Sequence, residues 1–362
     1  MTQAEIEGLR LDIGAVDDEI LRLVARRMEM AREVGRTKRK CGADIRDQIQ
    51  EERVFGAAAE RAAELGLAED TALRIVRVLI EGAVEVQEGT ADDPLSGSAA
   101  LVVGSGRMGA WTSRFLSNRG ANVSVFDTKG ALDGYANVEA LDGAASEADL
   151  TVVASPLGTA SEDLERVFSA RPSGIVFDVC SVKSHIKQLL VDAAGEGLKV
   201  TSVHPMFGPS SPTPKGENVL VCSCGSHEAD RVAKELFGSA GANVSEVPLE
   251  RHDQLIATVL GLPHLVSMLF GKATISSESP CERLRGLQGP SFRRLSGLAR
   301  DTALESRRVY HDIQRLNPST RATLDLMSTA LEELRSAALS DDPAEFRSMM
   351  DEQKRYFGGG RQ

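Results

Sequence analysis

Two stretches carry residue types that could do chemistry together. In HPMFGPSSP, residues 204–212, His204 follows the apolar run Lys199 to Val203 and is itself followed by prolines. Proline fixes φ, so the loop would hold the ring in one place, and a neutral imidazole can accept a proton near pH 7. A ring merely satisfied at a strand end is the plainer reading of the same residues. In LVVGSGRMG, Gly104, Gly106 and Gly109 have G-x-G-x-x-G spacing between an apolar run and the helical AWTSRFLSNRG. There the first glycine permits a tight turn, the second lets the backbone approach a pyrophosphate, and the third lets helix and strand pack closely. The N–H groups of the helix start would face the anion.

Asp127 ends the next apolar run, in VSVFDTKG, about twenty residues on, where a carboxylate bonds both hydroxyls of a ribose and repels a 2′-phosphate. NAD is therefore the expected cofactor, with Lys129 near enough to soften that preference. Its binding set is Gly104, Gly106, Arg107, Met108, Gly109 and Asp127, with Ser155 and Pro156 of ASPLGTA. In doubly wound sheets ligands sit beyond the carboxyl ends of the strands, so ASPLGTA, DVCSVKSH and VHPMFGPSSP should surround the reacting end of the cofactor. Ser181 and Lys183 could there reach polar groups of a substrate; a helix-capping serine and a solvated lysine fit equally well. His252 and His264, in ERHDQLIATVLGLPHL, are twelve residues apart, roughly on one face of a helix.

The elements that must position these groups follow from periodicity. Apolar residues recur at helical spacing from Ile6 to Val34, a second helix is expected from about Arg46 to Glu64, and a third from about Asp70 to Gln87. Such a long first helix cannot bury its stripe on two shorter ones, so a homodimer is expected. GTADDPLSGS, residues 89–98, reads as a linker. Apolar runs at Ala99–Val103, Ala121–Phe126, Leu150–Ala154, Gly174–Val179 and Lys199–Val203, with a sixth at Asn218–Cys222, alternate with helical or loop segments, the pattern of a Rossmann-type parallel sheet. After about Glu250 only helices are expected: Gln254–Ile275, Pro290–Gln314, Ser319–Ala338 and Pro343–Phe357. The division is thus 1–90 all-α, 91–98 linker, 99–250 nucleotide-binding and 251–362 helical.

Composition narrows the class. The 362 residues are 42% hydrophobic and 26% charged, ordinary for globular domains, and the formal charge of −11 without a basic block argues against nucleic acid as a partner. No stretch of eighteen consecutive apolar residues occurs and the start, MTQAEIEGLRLD, is acidic and amphipathic, which points to the cytoplasm and no membrane partner. Five cysteines without a C-x-x-C pair read as reduced, buried thiols, with neither disulfides nor a metal site.

In order along the chain, DVCSVK, HPMFGP, ERHDQ with the later LPH, SFRRL and VYHDI resemble bifunctional chorismate mutase–prephenate dehydrogenase, the T-protein type of tyrosine-biosynthesis enzyme. The resemblance spans nearly the whole chain. It implies an all-α mutase, a Rossmann-type domain, a helical dimerisation domain, and chorismate and prephenate as substrates, and it leaves open whether tyrosine is a feedback ligand. His204 would take the proton of the ring 4-hydroxyl, Ser181 would bond that hydroxyl, His264 would line the pocket and His252 would neighbour it. The family's arginine for the ring carboxylate falls on Asp301, so Arg300 is the choice, with Arg293 and Arg294 as substitutes. In the mutase, Arg10 of one chain and Arg27 of the other would clamp the carboxylates of chorismate. Lys38 and Gln87 would donate to the ether oxygen, and Asp47 and Glu51 would meet the ring hydroxyl. Two positions depart from the pattern: Gln50 stands where an arginine is usual and Ala83 where a serine is. The alternative is a prephenate or arogenate dehydrogenase whose helical N-terminal unit serves dimerisation or regulation.

Overall fold

The computed structural model describes residues 3–41, 47–88 and 95–358, and within these leaves aside the side chains at 3–5, 32, 36, 39, 40, 48, 49 and 85–88. Contacts group the chain into two compact units: Met1–Ala100 with Ala110–Ser124 and Asp133–Ala136, and Leu101–Gly109 with Val125–Leu132 and Asn137–Gln362.

The first unit begins with three helices, α1 (Gln3–Lys40), α2 (Gln48–Leu65) and α3 (Glu69–Glu88). At 38 residues α1 is longer than the expected Ile6–Val34, because its polar ends hold no proline and the single glycine after Val34, Gly35, stays within the helix. Asp47 caps α2 by accepting the Gln50 N–H at 3.0 Å, and Gly66 ends it with φ +67°, a conformation costly for any side chain. Helix α3 packs on both others and buries Ile80, Ala83 and Val84. Leu9, Ile13, Val16, Ile20 and Leu23 of α1 nevertheless remain at least half exposed.

The sheet and its helices follow as β1 (Ala99–Val103), α4 (Arg107–Asn118), β2 (Asn122–Phe126), β3 (Ala136–Asn137), α5 (Leu141–Glu147), β4 (Leu150–Val153) and α6 (Ala160–Ser169). Then come β5 (Ile175–Asp178), α7 (Lys187–Gly195), β6 (Lys199–Pro205), β7 (Asn218–Ser223), α8 (His227–Gly238) and β8 (Asn243–Glu246). The strand order is β3-β2-β1-β4-β5-β6-β7-β8. It reverses between β1 and β4, and a crevice forms there beyond the carboxyl ends of the strands. Every residue of β4 and β5 is buried, which is why these strands read as unbroken apolar runs. The six expected strands become eight: β3 has two residues and β8 is the largely polar NVSE, so neither has an apolar run to betray it. The sheet is also not wholly parallel, since β7 runs antiparallel to β6, reached by a short connection with no crossover helix.

The last third is helical: α9 (Leu249–Ile256), a π-helical turn (Ala257–Gly261), α10 (Leu262–Ser276), α11 (Cys281–Leu287), α12 (Pro290–Leu304), α13 (Arg307–Leu316), α14 (Thr320–Leu339) and α15 (Ala344–Gly358). The expected helix Gln254–Ile275 starts earlier and widens ahead of Pro263, whose missing N–H breaks the regular hydrogen-bond ladder. The expected helix Pro290–Gln314 is two helices, because Ser306 caps a new start by accepting the Val309 N–H. The stretch Leu249–Ser276 is long and apolar enough to cross a membrane by length and composition, an 18-residue window within it having a mean hydropathy of 1.5. It is also the stretch that carries His252, Asp253 and His264. Of the cysteines, Cys180, Cys222 and Cys224 are buried, whereas Cys41 and Cys281 are exposed, contrary to the expectation of buried thiols throughout.

Candidate active sites

The glycine loop leaves no room for side chains where the turn is tightest. Gly104 has φ +111°, and a Cβ there would lie 2.9 Å from the Ala154 carbonyl oxygen; one on Gly109 would lie 1.9 Å from that of Gly104. Gly106 is open, so a ligand can approach its backbone. Asp127, at the end of β2, accepts the Ser105 N–H at 2.7 Å, the Ser105 hydroxyl at 2.9 Å and the Lys129 N–H at 2.7 Å. Burial alone would raise its pKa, but these hydrogen bonds and the nearby Lys129 hold it below the usual carboxylate range. A dinucleotide fits: a bare backbone for the pyrophosphate, the start of α4 beside it, and a fixed ionised carboxylate for the ribose. Ser155, half-buried, donates to the Val103 carbonyl at 3.3 Å, and Pro156 is exposed beside it across the crevice. Arg107 opens α4 and pairs with Glu305 just after α12, while Met108 is half-buried. Replacing Asp127 with alanine is expected to raise the KM for NAD by about 10–100-fold, the worth of lost charged hydrogen bonds. Discrimination against NADP should fall with it, both read from initial rates with each nucleotide.

His204 lies near the end of β6, buried at 2% exposure and paired in register with Leu220 of β7. Its Nδ1 lies 3.0 Å from Nε2 of His252, whose Nδ1 lies 2.7 Å from Oδ1 of Asp253. Burial, then the neighbouring His252 and Lys183, hold His204 well below the ordinary histidine value, so its ring is neutral at pH 7. Ser181 is half-buried in the loop after β5. Lys183, expected to reach substrate, is instead 1% exposed: its ammonium bonds Asp178 at 2.6 Å and the Val203 carbonyl at 2.9 Å. Asp178 raises its pKa against the opposing effect of burial, so it is a charged group of the core beneath His204. His264 sits past the π-helical turn, half-buried, its ring 4.2 Å from that of Tyr310. Arg300 is exposed and pairs with its neighbour Asp301 at 3.3 Å, and Arg293 and Arg294 are exposed.

Arg27, Lys38, Asp47 and Glu51 share a cleft with Gln50, Val54, Ile80, Ala83 and Val84. Arg27 donates to the Leu79 carbonyl at 2.5 Å, which fixes its guanidinium against α3. The cleft holds about 110 Å³, small beside the ~300 Å³ and more of ordinary ligand sites. Arg10 is exposed and bonds Glu7, outside this cleft. Gln87 belongs to α3, but its side chain lies outside the described residues.

Family models match in series: chorismate mutase type II over residues 9–88, the nucleotide-binding domain of prephenate dehydrogenase over 120–221 and its dimerisation domain over 248–352. A 4-amino-4-deoxyprephenate dehydrogenase of Streptomyces pristinaespiralis is 30% identical over 274 residues, 72% of this chain and 92% of that protein. This chain belongs to the prephenate dehydrogenase family. The T-protein of Enterobacter agglomerans is 24% identical over 98% of this chain and 94% of its own length. A probable arogenate/prephenate dehydrogenase of Methanocaldococcus jannaschii, also 24% identical, aligns over 72% of this chain and 60% of itself. The fold is that of A. aeolicus prephenate dehydrogenase in complex with hydroxyphenyl propionate and NAD+, at TM-score 0.59 and 20% identity over 73% of this chain and 98% of that one. Mutase and dehydrogenase domains stand in one polypeptide, the bifunctional chorismate mutase–prephenate dehydrogenase arrangement, which favours two activities over a dehydrogenase alone.

Sequence reasoning missed Asp253, which stands in the quoted ERHDQ, because an acid beside a histidine on a helix is ordinarily solvated. It also missed Tyr310 and Asn317, whose side chains matter through contacts distant in sequence, and Asp178, whose pairing with Lys183 five residues on has its effect through burial of both groups.

Proposed function

We propose that the helical N-terminal domain rearranges chorismate to prephenate, and that the following domains convert prephenate to 4-hydroxyphenylpyruvate and CO2 with NAD+. The observation that carries the second step is His204: buried, neutral and held at the carboxyl end of a strand, within the stretch matched by the family's nucleotide-binding domain. NAD+, when bound, accepts the hydride of the ring carbon that bears the hydroxyl. His204 takes the hydroxyl proton, with Ser181 bonding the same oxygen. Loss of CO2 leaves its electron pair in the ring, and the proton returns to the phenolate oxygen, so the balance closes without another reactant. His264 lines the pocket, and Arg300, or Arg293 or Arg294, holds the ring carboxylate.

In the mutase, Arg27 and Lys38 hold the compact chorismate conformer and the developing charge on the ether oxygen, with no proton transfer. The small cleft and the exposed α1 stripe support a homodimer in which Arg10 reaches the partner's cleft. Small-molecule substrates of this kind suit a cytoplasmic setting for the chain. The test follows chorismate disappearance and, with NAD+ present, NADH formation; NADH from added prephenate alone would leave only the dehydrogenase. Adding tyrosine to the same assay tests feedback.

A second substrate is favoured by one observation. The cleft carries Asp47 and Glu51 with the neutral Gln50 in place of an arginine, so a positive group on ring carbon 4 would meet less repulsion than usual. The Streptomyces relative is named for the 4-amino substrate. Assaying chorismate and its 4-amino-4-deoxy analogue at equal concentration decides between them by their kcat/KM.

A further inference from the structure

We infer that His252 and Asp253 are positioning residues that order the protons of His204, keeping the Nε2 lone pair free for the substrate hydroxyl, and that Asp253 also fixes the loop bearing Ser181. The inference rests on the dehydrogenase reading above.

Asp253 is an ionised carboxylate: burial opposes this, but hydrogen bonds from His252, Ser184 and the Lys183 backbone hold its pKa at about 2. It can therefore only accept, so the hydrogen in its 2.7 Å contact lies on Nδ1 of His252. Burial also lowers the pKa of His252, which leaves that ring neutral with a lone pair on Nε2. That lone pair lies 3.0 Å from Nδ1 of His204, so the proton in this contact belongs to His204. His204 is then a neutral ring protonated at Nδ1, and only Nε2 remains to accept. Without the carboxylate at the far end, the two hydrogen bonds could run the other way and place a proton on Nε2, where it blocks the base. Once His204 has taken the substrate proton, its positive charge faces Asp253 through His252. The Lys183 ammonium beneath is paired with Asp178.

The same carboxylate accepts the Lys183 N–H at 2.8 Å, the Ser184 N–H at 2.7 Å and the Ser184 hydroxyl at 2.5 Å. Asn317 in turn donates to the Asp253 backbone carbonyl at 2.8 Å. One side chain on α9 thus sets both the tautomer of His204 and the position of the loop two residues from Ser181.

The test compares His252→Gln with His252→Leu in the full chain, a thermal unfolding curve serving as control for folding. Glutamine offers an amide oxygen to Nδ1–H of His204, whereas leucine offers nothing. The expected result is a kcat within about 10-fold of wild type for the glutamine variant and a loss of about 10²–10³-fold for the leucine variant, the scale of a misplaced base. The KM values for prephenate and NAD should change little in either. A wild-type kcat in the leucine variant, or a rise in KM without a fall in kcat, overturns the inference. Should the variants not fold, nitrogen NMR of the wild-type imidazoles decides it: a proton on Nε2 of His204 refutes the ordering, and one on Nδ1 upholds it. Failure of wild-type protein to oxidise prephenate would count against the dehydrogenase reading, and leaves the NMR readout of the chain intact.

Discussion

His204→Asn is expected to lower the dehydrogenase kcat by about 10²–10⁴-fold, the usual cost of losing a general base. Asparagine is close in size and can still donate to His252, so the strand end should keep its packing and prephenate should bind nearly normally. What disappears is the lone pair that takes the hydroxyl proton. In the wild type the folded-state pKa of this histidine lies well below its ordinary value, with burial as the largest cause and His252 next. The base is therefore fully unprotonated at pH 7, and kcat should fall only as the pH drops below the ordinary histidine range of about 6.5. That acid limb should vanish from the residual activity of the variant. The mutase, with its own residues in another unit, should run at the wild-type rate. A variant turning over at the wild-type rate would remove His204 from the chemistry.

How much of this was legible beforehand depended on whether a signal was local. The glycine loop and Asp127 were readable because a turn followed by a helix start imposes its constraints within a few residues. The close approaches of Gly104 and Gly109 are the physical form of that constraint. His204 was readable for the same reason, since a proline-stiffened loop after an apolar strand is a local pattern. Lys183 was misread because Asp178, although only five residues away, and the Val203 carbonyl close over its ammonium only once β5 pairs with β6. Asp253 went unused for the converse reason: its partners Lys183 and Ser184 lie about seventy residues away, a distance only the fold removes. Short strands failed too. In NVSE the sheet supplies the partners, and the residues themselves advertise little.

Arg27→Ala should cut mutase kcat/KM by at least about 10²-fold, as removal of one donor aimed at developing or fixed charge commonly does. The guanidinium is anchored on the Leu79 carbonyl, so its fork already faces the cleft before substrate arrives, and little side-chain freedom remains to be lost on binding. Alanine removes the fork and its charge together. Arg27→Lys separates these contributions: charge alone would restore much of the rate, whereas a need for paired donors would leave lysine nearly as impaired as alanine. Because the cleft also contains Asp47 and Glu51, removing Arg27 leaves Lys38 as the remaining cation among its lining residues, and a dianion should then be held poorly. The dehydrogenase rate from added prephenate should not change, since His204, His252 and Asp253 belong to the other unit. A full mutase rate in Arg27→Ala would contradict the assignment of the cleft. A parallel loss of both activities would mean that the substitution acts through the fold or the dimer and not through the bound substrate.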